Sequence, residues 1–135
     1  MIWLAAVVVV ASGLAFITFT GTVFAQPALA ERFLRAFASS ARAHYVEMAF
    51  RLLFGTSLVL LSPAMWPTPV FRLIGWAIVI SSVALLLMPW QWHHRFGERV
   101  RPTLIRLVKV YAVGTFVFGC MLLYEVVFAA SRGAL

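Results

Sequence analysis

Residues 2–25 read IWLAAVVVVASGLAFITFTGTVFA, and no side chain in this stretch carries a charge. The hydrocarbon core of a bilayer is about 30 Å thick, and an α-helix needs about 20 mostly apolar residues to cross it. The stretch is too long for the apolar part of a secretory leader, and no basic residue precedes it. We therefore predict a retained transmembrane helix at Ile2–Ala25.

The rest of the chain has the same character. Of its 135 residues, 64% are hydrophobic and 11% are charged, whereas about a quarter of the residues of a soluble domain are charged. Three more apolar stretches are long enough to cross a bilayer, at Val46–Met65, Val70–Trp90 and Leu104–Ala129. The sequence predicts an all-α integral membrane protein, a four-helix bundle of four transmembrane helices in a single domain covering 1–135.

Prolines mark the ends of these predicted spans. Pro63, Pro67 and Pro69 force a tight break between the second and third spans, because proline lacks an N–H and disfavours helix before it. Pro89 closes the third span, and Pro102 suits the first turn of the fourth. The lone cysteine, Cys120, excludes an internal disulfide.

Basic residues concentrate in two of the predicted loops and give the chain a formal net charge of +7. In a soluble protein this charge would suggest nucleic acid, but here it borders apolar runs, so we predict anionic lipid headgroups, or a protein partner, and no nucleic acid. The opposite side has only Arg72 and Arg132. The positive-inside rule then predicts a bacterial inner-membrane protein with cytoplasmic basic loops and both termini outside. The predicted contact residues are Arg32, Arg35, Arg42, Arg95, Arg99 and Arg101.

The two basic loops are predicted to form short interfacial amphipathic helices on the cytoplasmic side. In the third loop, Phe96 and Val100 lie one turn apart, and Arg95 and Arg99 lie on the next ridge. In the first loop an apolar stripe lies opposite Arg32, Arg35, Ser39 and Arg42 and consists of Phe33, Leu34, Phe37, Ala41 and Tyr45.

Similar sequence features follow one another in the same order in the two halves of the chain. This order suggests a helix–basic loop–helix hairpin used twice, at 1–65 and 70–132. Each half opens a span with a tryptophan, Trp3 or Trp76, and each carries a Gly-Thr pair in its second span, beginning at Gly55 or Gly114. The alternative is that any two hydrophobic hairpins look alike, because apolar sequence is degenerate.

Charged residues at the start of the second span form a candidate site. Residues 43–51 read AHYVEMAFR, which places His44, Glu47 and Arg51 on one helical face. A charge deep in a bilayer is costly, and Glu followed by Arg at i+4 is the favourable order for a helical ion pair. We predict a Glu47–Arg51 ion pair where the helix enters the membrane, and a functional site is the alternative.

Histidines provide a second hypothesis for the same region. His44, His93 and His94 fall on one side of the predicted topology and, with Glu47, offer ligands that suit zinc, copper or iron. Their spacing matches no metal motif, and solvated interfacial histidines are the alternative. No cofactor is predicted except this haem or transition-metal alternative.

On the outer side we predict an ion pair between Arg72 and Glu125, because adjacent antiparallel helices would bring these ends together; Arg132 is the rival partner of Glu125.

The first span also presents a ridge of small residues, which predicts close helix packing either within the bundle or against another subunit. The ridge consists of Ala11, Ala15, Thr18, Thr22 and Ala25.

No phosphate loop, nucleophile elbow, CxxC or HExxH motif occurs, so no sequence motif identifies an enzyme. The composition leaves three functions open. The first is a non-catalytic accessory, assembly or scaffold subunit of a membrane complex or homo-oligomer. The second is a small dimeric transporter or channel built from hairpin repeats. The third is a haem- or metal-binding redox subunit that uses the histidines.

Overall fold

The computed structural model describes residues 1–36 and 39–135, and within these ranges the chain is helical with no strand. Four helices are long and apolar enough to cross a membrane: α1, α3 together with the turn after it, α4 and α6. The prediction of an all-helical protein with four such helices is confirmed. The helices are α1 (Ile2–Ala25), α2 (Pro27–Ala36), α3 (Ala41–Leu61), α4 (Thr68–Leu87), α5 (Trp90–Arg106) and α6 (Val108–Ser131), with a 3-10 turn at Ser62–Ala64.

Local chemistry accounts for several helix ends. The Ser40 hydroxyl accepts the Ala43 backbone N–H at 3.2 Å and caps the start of α3, which satisfies one of the N–H groups that a first turn leaves free. After α6, Gly133 has φ +65°. This left-handed glycine lets its own N–H and that of Ala134 bond back to the carbonyls of Ala130 and Ala129, the usual glycine-terminated helix end.

Several predicted boundaries are wrong. The third span runs from Thr68 to Leu87 rather than from Val70 to Trp90, and Trp90 begins α5. The second span starts at Ala41 rather than Val46, because Ser40 supplies a cap one turn earlier. The fourth starts at Val108 rather than Leu104, and Pro102 lies inside α5 instead of opening α6. Pro102 is exposed, so the Glu98 carbonyl that loses its helical donor there can bind solvent, which makes the proline tolerable.

Amphipathic helices occupy both basic loops. In the first loop, α2 ends at Ala36, and Ala41 and Tyr45 of the predicted stripe belong to α3; Phe37 lies outside the described residues. In the third loop, α5 forms one helix from Trp90 to Arg106, and none of its residues is fully buried.

The spanning helices pack in the order α6, α1, α3, α4, with α1 against α6 and α3 against α4 as the two most extensive interfaces. At each interface, a glycine of one helix lies against a glycine of the other. A Cβ on Gly119 would lie 2.8 Å from the Gly13 carbonyl oxygen, and one on Gly75 would lie 3.0 Å from the Gly55 carbonyl oxygen. These backbones therefore approach as closely as small residues allow.

The main apolar core lies at the end of the bundle that carries the α3–α4 connection, and includes Val9, Leu58, Phe71 and Leu122. At the opposite end, the buried Thr20 hydroxyl lies 2.8 Å from the Ala112 carbonyl oxygen and joins α1 to α6. The polar residues discussed next lie at this second end, between α3, α4 and α5.

Candidate functional site

A group of polar side chains meets where the start of α3 packs against the end of α4 and the start of α5. We call it the α3–α5 polar cluster, and it consists of His44, Glu47, Arg51, Ser81, Ser82 and His93. His44, Glu47 and Arg51 share one face of α3 because they are spaced at three and four residues. Their partners come from other helices, so the tertiary fold assembles the cluster.

Arg51 is held by two serines of α4. Its Nε donates to Ser82 Oγ at 3.1 Å and its Nη2 donates to Ser81 Oγ at 2.9 Å. Each serine hydroxyl in turn donates to the Ile78 carbonyl oxygen, at 2.6 Å from Ser82 and 3.0 Å from Ser81. The serine oxygens thus act as acceptors toward the guanidinium and as donors toward the backbone. The sequence predicted that Arg51 pairs with Glu47; the Ser81-Ser82 pair inside an apolar span was the overlooked signal.

Glu47 is only loosely engaged. Its Oε1 lies 4.0 Å from Arg51 Nη1, at the outer limit of an ion pair, and its Oε2 is buried with no hydrogen-bond partner among the described residues. Because a buried acceptor without a donor is destabilising, Glu47 is the least satisfied group of the cluster.

The imidazoles of His44 and His93 form a hydrogen bond between α3 and α5. Their Nδ1 atoms are 2.7 Å apart, and His44 has no exposed surface. A neutral imidazole carries one N–H, so one Nδ1 must donate and the other accept. His44 Nε2 is buried without a well-formed hydrogen bond, but the Leu85 backbone carbonyl lies near the ring. Which of the two rings donates depends on their tautomers.

The structure brings together two of the three predicted histidines. His94 lies on the next ridge of α5, where its ring is 6.0 Å from that of Trp90. Within residues 1–36 and 39–135, no three His, Cys, Asp or Glu side chains are close enough to hold a metal ion. The separation of the His44 and His93 nitrogens is that of a hydrogen bond. A haem or metal at these positions stays a prediction.

A cavity of about 290 Å³ lies beside the cluster. Glu47, His93 and Arg101 are its charged or polar lining residues, and the apolar lining comes from α2 and α5 and includes Leu34, Phe96 and Val100. Burial lowers the pKa of His93 below its ordinary value, and the Arg51 guanidinium lowers this pKa further. The neutral form of His93 is therefore favoured in the folded protein.

At the other end of the bundle, the predicted Arg72–Glu125 ion pair is wrong for the described residues. Glu125 is buried, and its Oε2 accepts the Trp66 backbone N–H at 2.8 Å. Arg72 is exposed. Arg132 is not the partner either, because its Nη2 donates to the Ala64 carbonyl oxygen at 3.3 Å and its guanidinium lies 4.2 Å from the Phe128 ring centroid.

The ridge of small residues on α1 does not face the bundle. Ala11, Ala15, Thr18 and Ala25 are exposed and Thr22 is half-buried. Helix α1 instead packs within the chain through other residues, among them Ala6, Val9, Gly13 and Thr20. Packing within the chain therefore does not explain the ridge, and contact with another subunit stays a prediction.

The ridge also borders a cleft of about 420 Å³ between α1 and α2. Ala15, Thr18 and Thr22 line its α1 side, and Leu29 and Phe33 line its α2 side. The cleft is mainly apolar, so it offers a lipid chain or a neighbouring helix a surface without charge.

The basic residues of the loops lie on the surface at the cluster end of the bundle. Two of them have partners on their own helices, since Arg35 pairs with Glu31 and Arg101 pairs with Glu98. The others are exposed: Arg32, Arg42, Arg95 and Arg99. Their position near the helix ends fits contact with headgroups.

Comparisons with protein-family models, with curated proteins and with solved structures gave no match to this chain. The geometry of its own residues is therefore the basis of the functional proposal.

Proposed function

We propose that this chain is a non-catalytic membrane protein, an accessory, assembly or scaffold subunit of a membrane complex or homo-oligomer. The observation that supports this role most is the exposed ridge of small residues on α1. In a bilayer, small side chains let two helix backbones approach closely, and hydroxyls such as that of Thr18 can bond across the interface. A ridge that the chain does not use internally suits a second helix.

The distribution of polar groups also supports a role without transport. The α3–α5 polar cluster extends from His44 in the first turn of α3 to Arg51 near the middle of that helix, whereas the other end of the bundle is filled by the apolar core around Leu58, Phe71 and Leu122. Glu125, the buried carboxylate at that end, is occupied by the Trp66 N–H. A proton or ion pathway across the membrane would need ionisable groups to continue through this apolar core.

The proposed setting is a bacterial inner membrane, with α2 and α5 at the cytoplasmic surface and both termini outside. The exposed arginines of both helices support this orientation through the positive-inside rule. A duplicated hairpin is part of the proposal, because exchanging the halves maps the α1–α6 interface onto the α4–α3 interface. The Gly-Thr landmarks contribute less support, since Gly55 is in close contact with Gly75 whereas Gly114 has open space around it.

The test is purification from native membranes in a mild detergent, with mass spectrometry of the co-eluting proteins, an absorption spectrum and metal analysis. We expect a stoichiometric larger partner or a defined homo-oligomer. Ala15→Leu should weaken that association, because overpacking a close interface costs about 1–3 kcal/mol, roughly 5- to 150-fold in the association constant. The matched control is Ala77→Leu, at an exposed alanine of α4, which should leave the association unchanged.

A monomer without partners, or equal effects of the two leucine variants, would contradict the proposed role of the ridge. A Soret band or a stoichiometric metal would instead favour the redox alternative.

The second candidate is a small dimeric transporter, favoured by the buried, unpartnered Glu47 Oε2. It would take first place if a homo-oligomer without other partners catalysed ion-coupled uptake in liposomes and lost this uptake on Glu47→Gln.

A further inference from the structure

We propose that the His44–His93 hydrogen bond is a proton-sensitive latch that holds α5 against α3 and over Glu47. The proposal concerns the conformation of the chain itself and does not depend on the identity of a partner. It rests on the geometry of the two imidazoles, on how α5 is attached to the bundle, and on what lies beneath that helix.

The geometry of the pair allows one bridging proton and excludes two. An imidazolium ion carries an N–H on both ring nitrogens. With the Nδ1 atoms 2.7 Å apart, protonation of both rings would point two N–H groups at each other without an acceptor and would place two positive charges in contact. A single added proton is compatible with the bond, because a charged His93 still donates from Nδ1. Loss of the contact therefore requires the second proton.

Charged groups around the pair act in opposite directions. Glu47, on α3, attracts a proton onto His44, whereas Arg51, on the same helix, repels one from His93. From α4 the neighbours are the neutral serines and the Leu85 carbonyl. On α5, Arg101 lines the adjacent cavity but is paired with Glu98, and α2 contributes the apolar Leu34 to that cavity.

Helix α5 lies on the surface of the bundle. None of its residues is fully buried, so it lacks the buried anchors that fix the spanning helices. The His93–His44 hydrogen bond joins it to a residue with no exposed surface. A surface helix with little buried area belongs to the less stable part of a fold, and breaking this bond should let the start of α5 move away.

Release of α5 would open the cavity over Glu47. Phe96 and Val100 of α5 line this cavity together with Glu47 of α3. Its carboxylate would then reach water, which relieves the missing hydrogen bond at Oε2. The latch thus couples protonation of the imidazoles to exposure of a carboxylate.

The direction with pH follows from His93. Because the pKa of His93 lies below the ordinary value of about 6.5, and because the second proton must be added next to a positive charge, the latch is closed at neutral pH and opens only well below that value. The test uses the full chain in lipid nanodiscs with Cys120→Ser as background. Spin labels at Arg99→Cys, on α5, and Leu60→Cys, at the far end of α3, report the distance between α5 and the bundle by double electron–electron resonance.

We expect the distance distribution to shift and broaden between about pH 7.5 and about pH 5. In His93→Asn, the amide places an N–H donor near the position of Nδ1 and cannot be protonated, so the closed distribution should persist at both pH values. His93→Leu removes the bond and should give the open distribution at both. His94→Asn, which removes the neighbouring imidazole instead, should keep the pH-dependent shift.

An unchanged distribution in the parent protein would overturn the proposal. So would a shift in His93→Asn as large as in the parent, or a closed distribution in His93→Leu at both pH values. Circular dichroism and a single elution peak establish that each variant is folded before labelling.

Discussion

The side chain of Glu125 illustrates how a buried carboxyl group can be satisfied by the backbone rather than by a basic side chain. Trp66 follows the 3-10 turn, and its N–H lies outside any helix, with a proline after it. A free backbone N–H among membrane-spanning helices needs an acceptor from the protein. Glu125 supplies it at 2.8 Å, and thereby ties α6 to the connection between α3 and α4.

This arrangement predicts the effect of three substitutions. Glu125→Leu should destabilise the protein by about 1–3 kcal/mol, because it leaves the Trp66 N–H unpaired. Glu125→Gln keeps an acceptor oxygen and should cost less. Arg72→Ala should be nearly neutral, since Arg72 is exposed and makes no ion pair with Glu125. Thermal unfolding in detergent micelles measures all three. A loss of stability in Arg72→Ala equal to that in Glu125→Leu would contradict this arrangement and support the Arg72–Glu125 ion pair.

At the scale of the helices, two glycine crossings determine which elements pack together. On α6, Gly119 approaches the Gly13 carbonyl of α1, whereas around Gly114 of the same helix no atom of another described helix lies within 4 Å of the position that a Cβ would take. The two glycines therefore differ in environment although they lie in the same helix. A glycine in a spanning helix allows a neighbouring backbone to approach closely. Of these two glycines, Gly119 is in such a contact and Gly114 is not.

The pair offers a matched experiment. Gly119→Ala should destabilise the α1–α6 interface by about 1–3 kcal/mol, because its Cβ meets a backbone oxygen that cannot move aside easily. Gly114→Ala should be neutral or stabilising by up to about 1 kcal/mol, the difference in helix propensity between glycine and alanine. Unfolding in a mixed-micelle denaturation series measures both. Equal costs at the two positions would contradict the crossing.

For the molecule as a whole, polarity separates the two ends of the bundle. One end holds the apolar core, and the other holds the α3–α5 polar cluster together with the basic helices α2 and α5. This asymmetry is the reason for proposing that the basic end faces the cytoplasm.

The proposed orientation predicts the labelling of single cysteines introduced in a Cys120→Ser background. In intact cells a membrane-impermeant thiol reagent should label Ala134→Cys, which follows α6, and should not label Arg99→Cys on α5. After permeabilisation both should react. The reverse pattern would invert the orientation, and labelling of both positions in intact cells would show that they do not lie on opposite sides.

The sequence by itself determined the class of the protein, because membrane insertion depends on the length and apolarity of each stretch, and these are local properties. It also identified α1 with its bounds, and found the residues of the polar cluster on α3 through their spacing. It misplaced the start of α6, since Pro102 is compatible both with a first turn and with the interior of an exposed helix.

Only the tertiary structure decided which groups each polar side chain contacts. His44 meets His93, Arg51 meets Ser81 and Ser82, and Glu125 meets a backbone N–H rather than Arg72. The direction in which the α1 ridge faces was also decided by the tertiary structure, because the spacing of small residues predicts a packing face but not whether that face points inward. Partner choice depends on the order and rotation of packed helices, and in an almost uniformly apolar sequence many arrangements bury similar surfaces. Close glycine contacts and a few polar groups then select one of them.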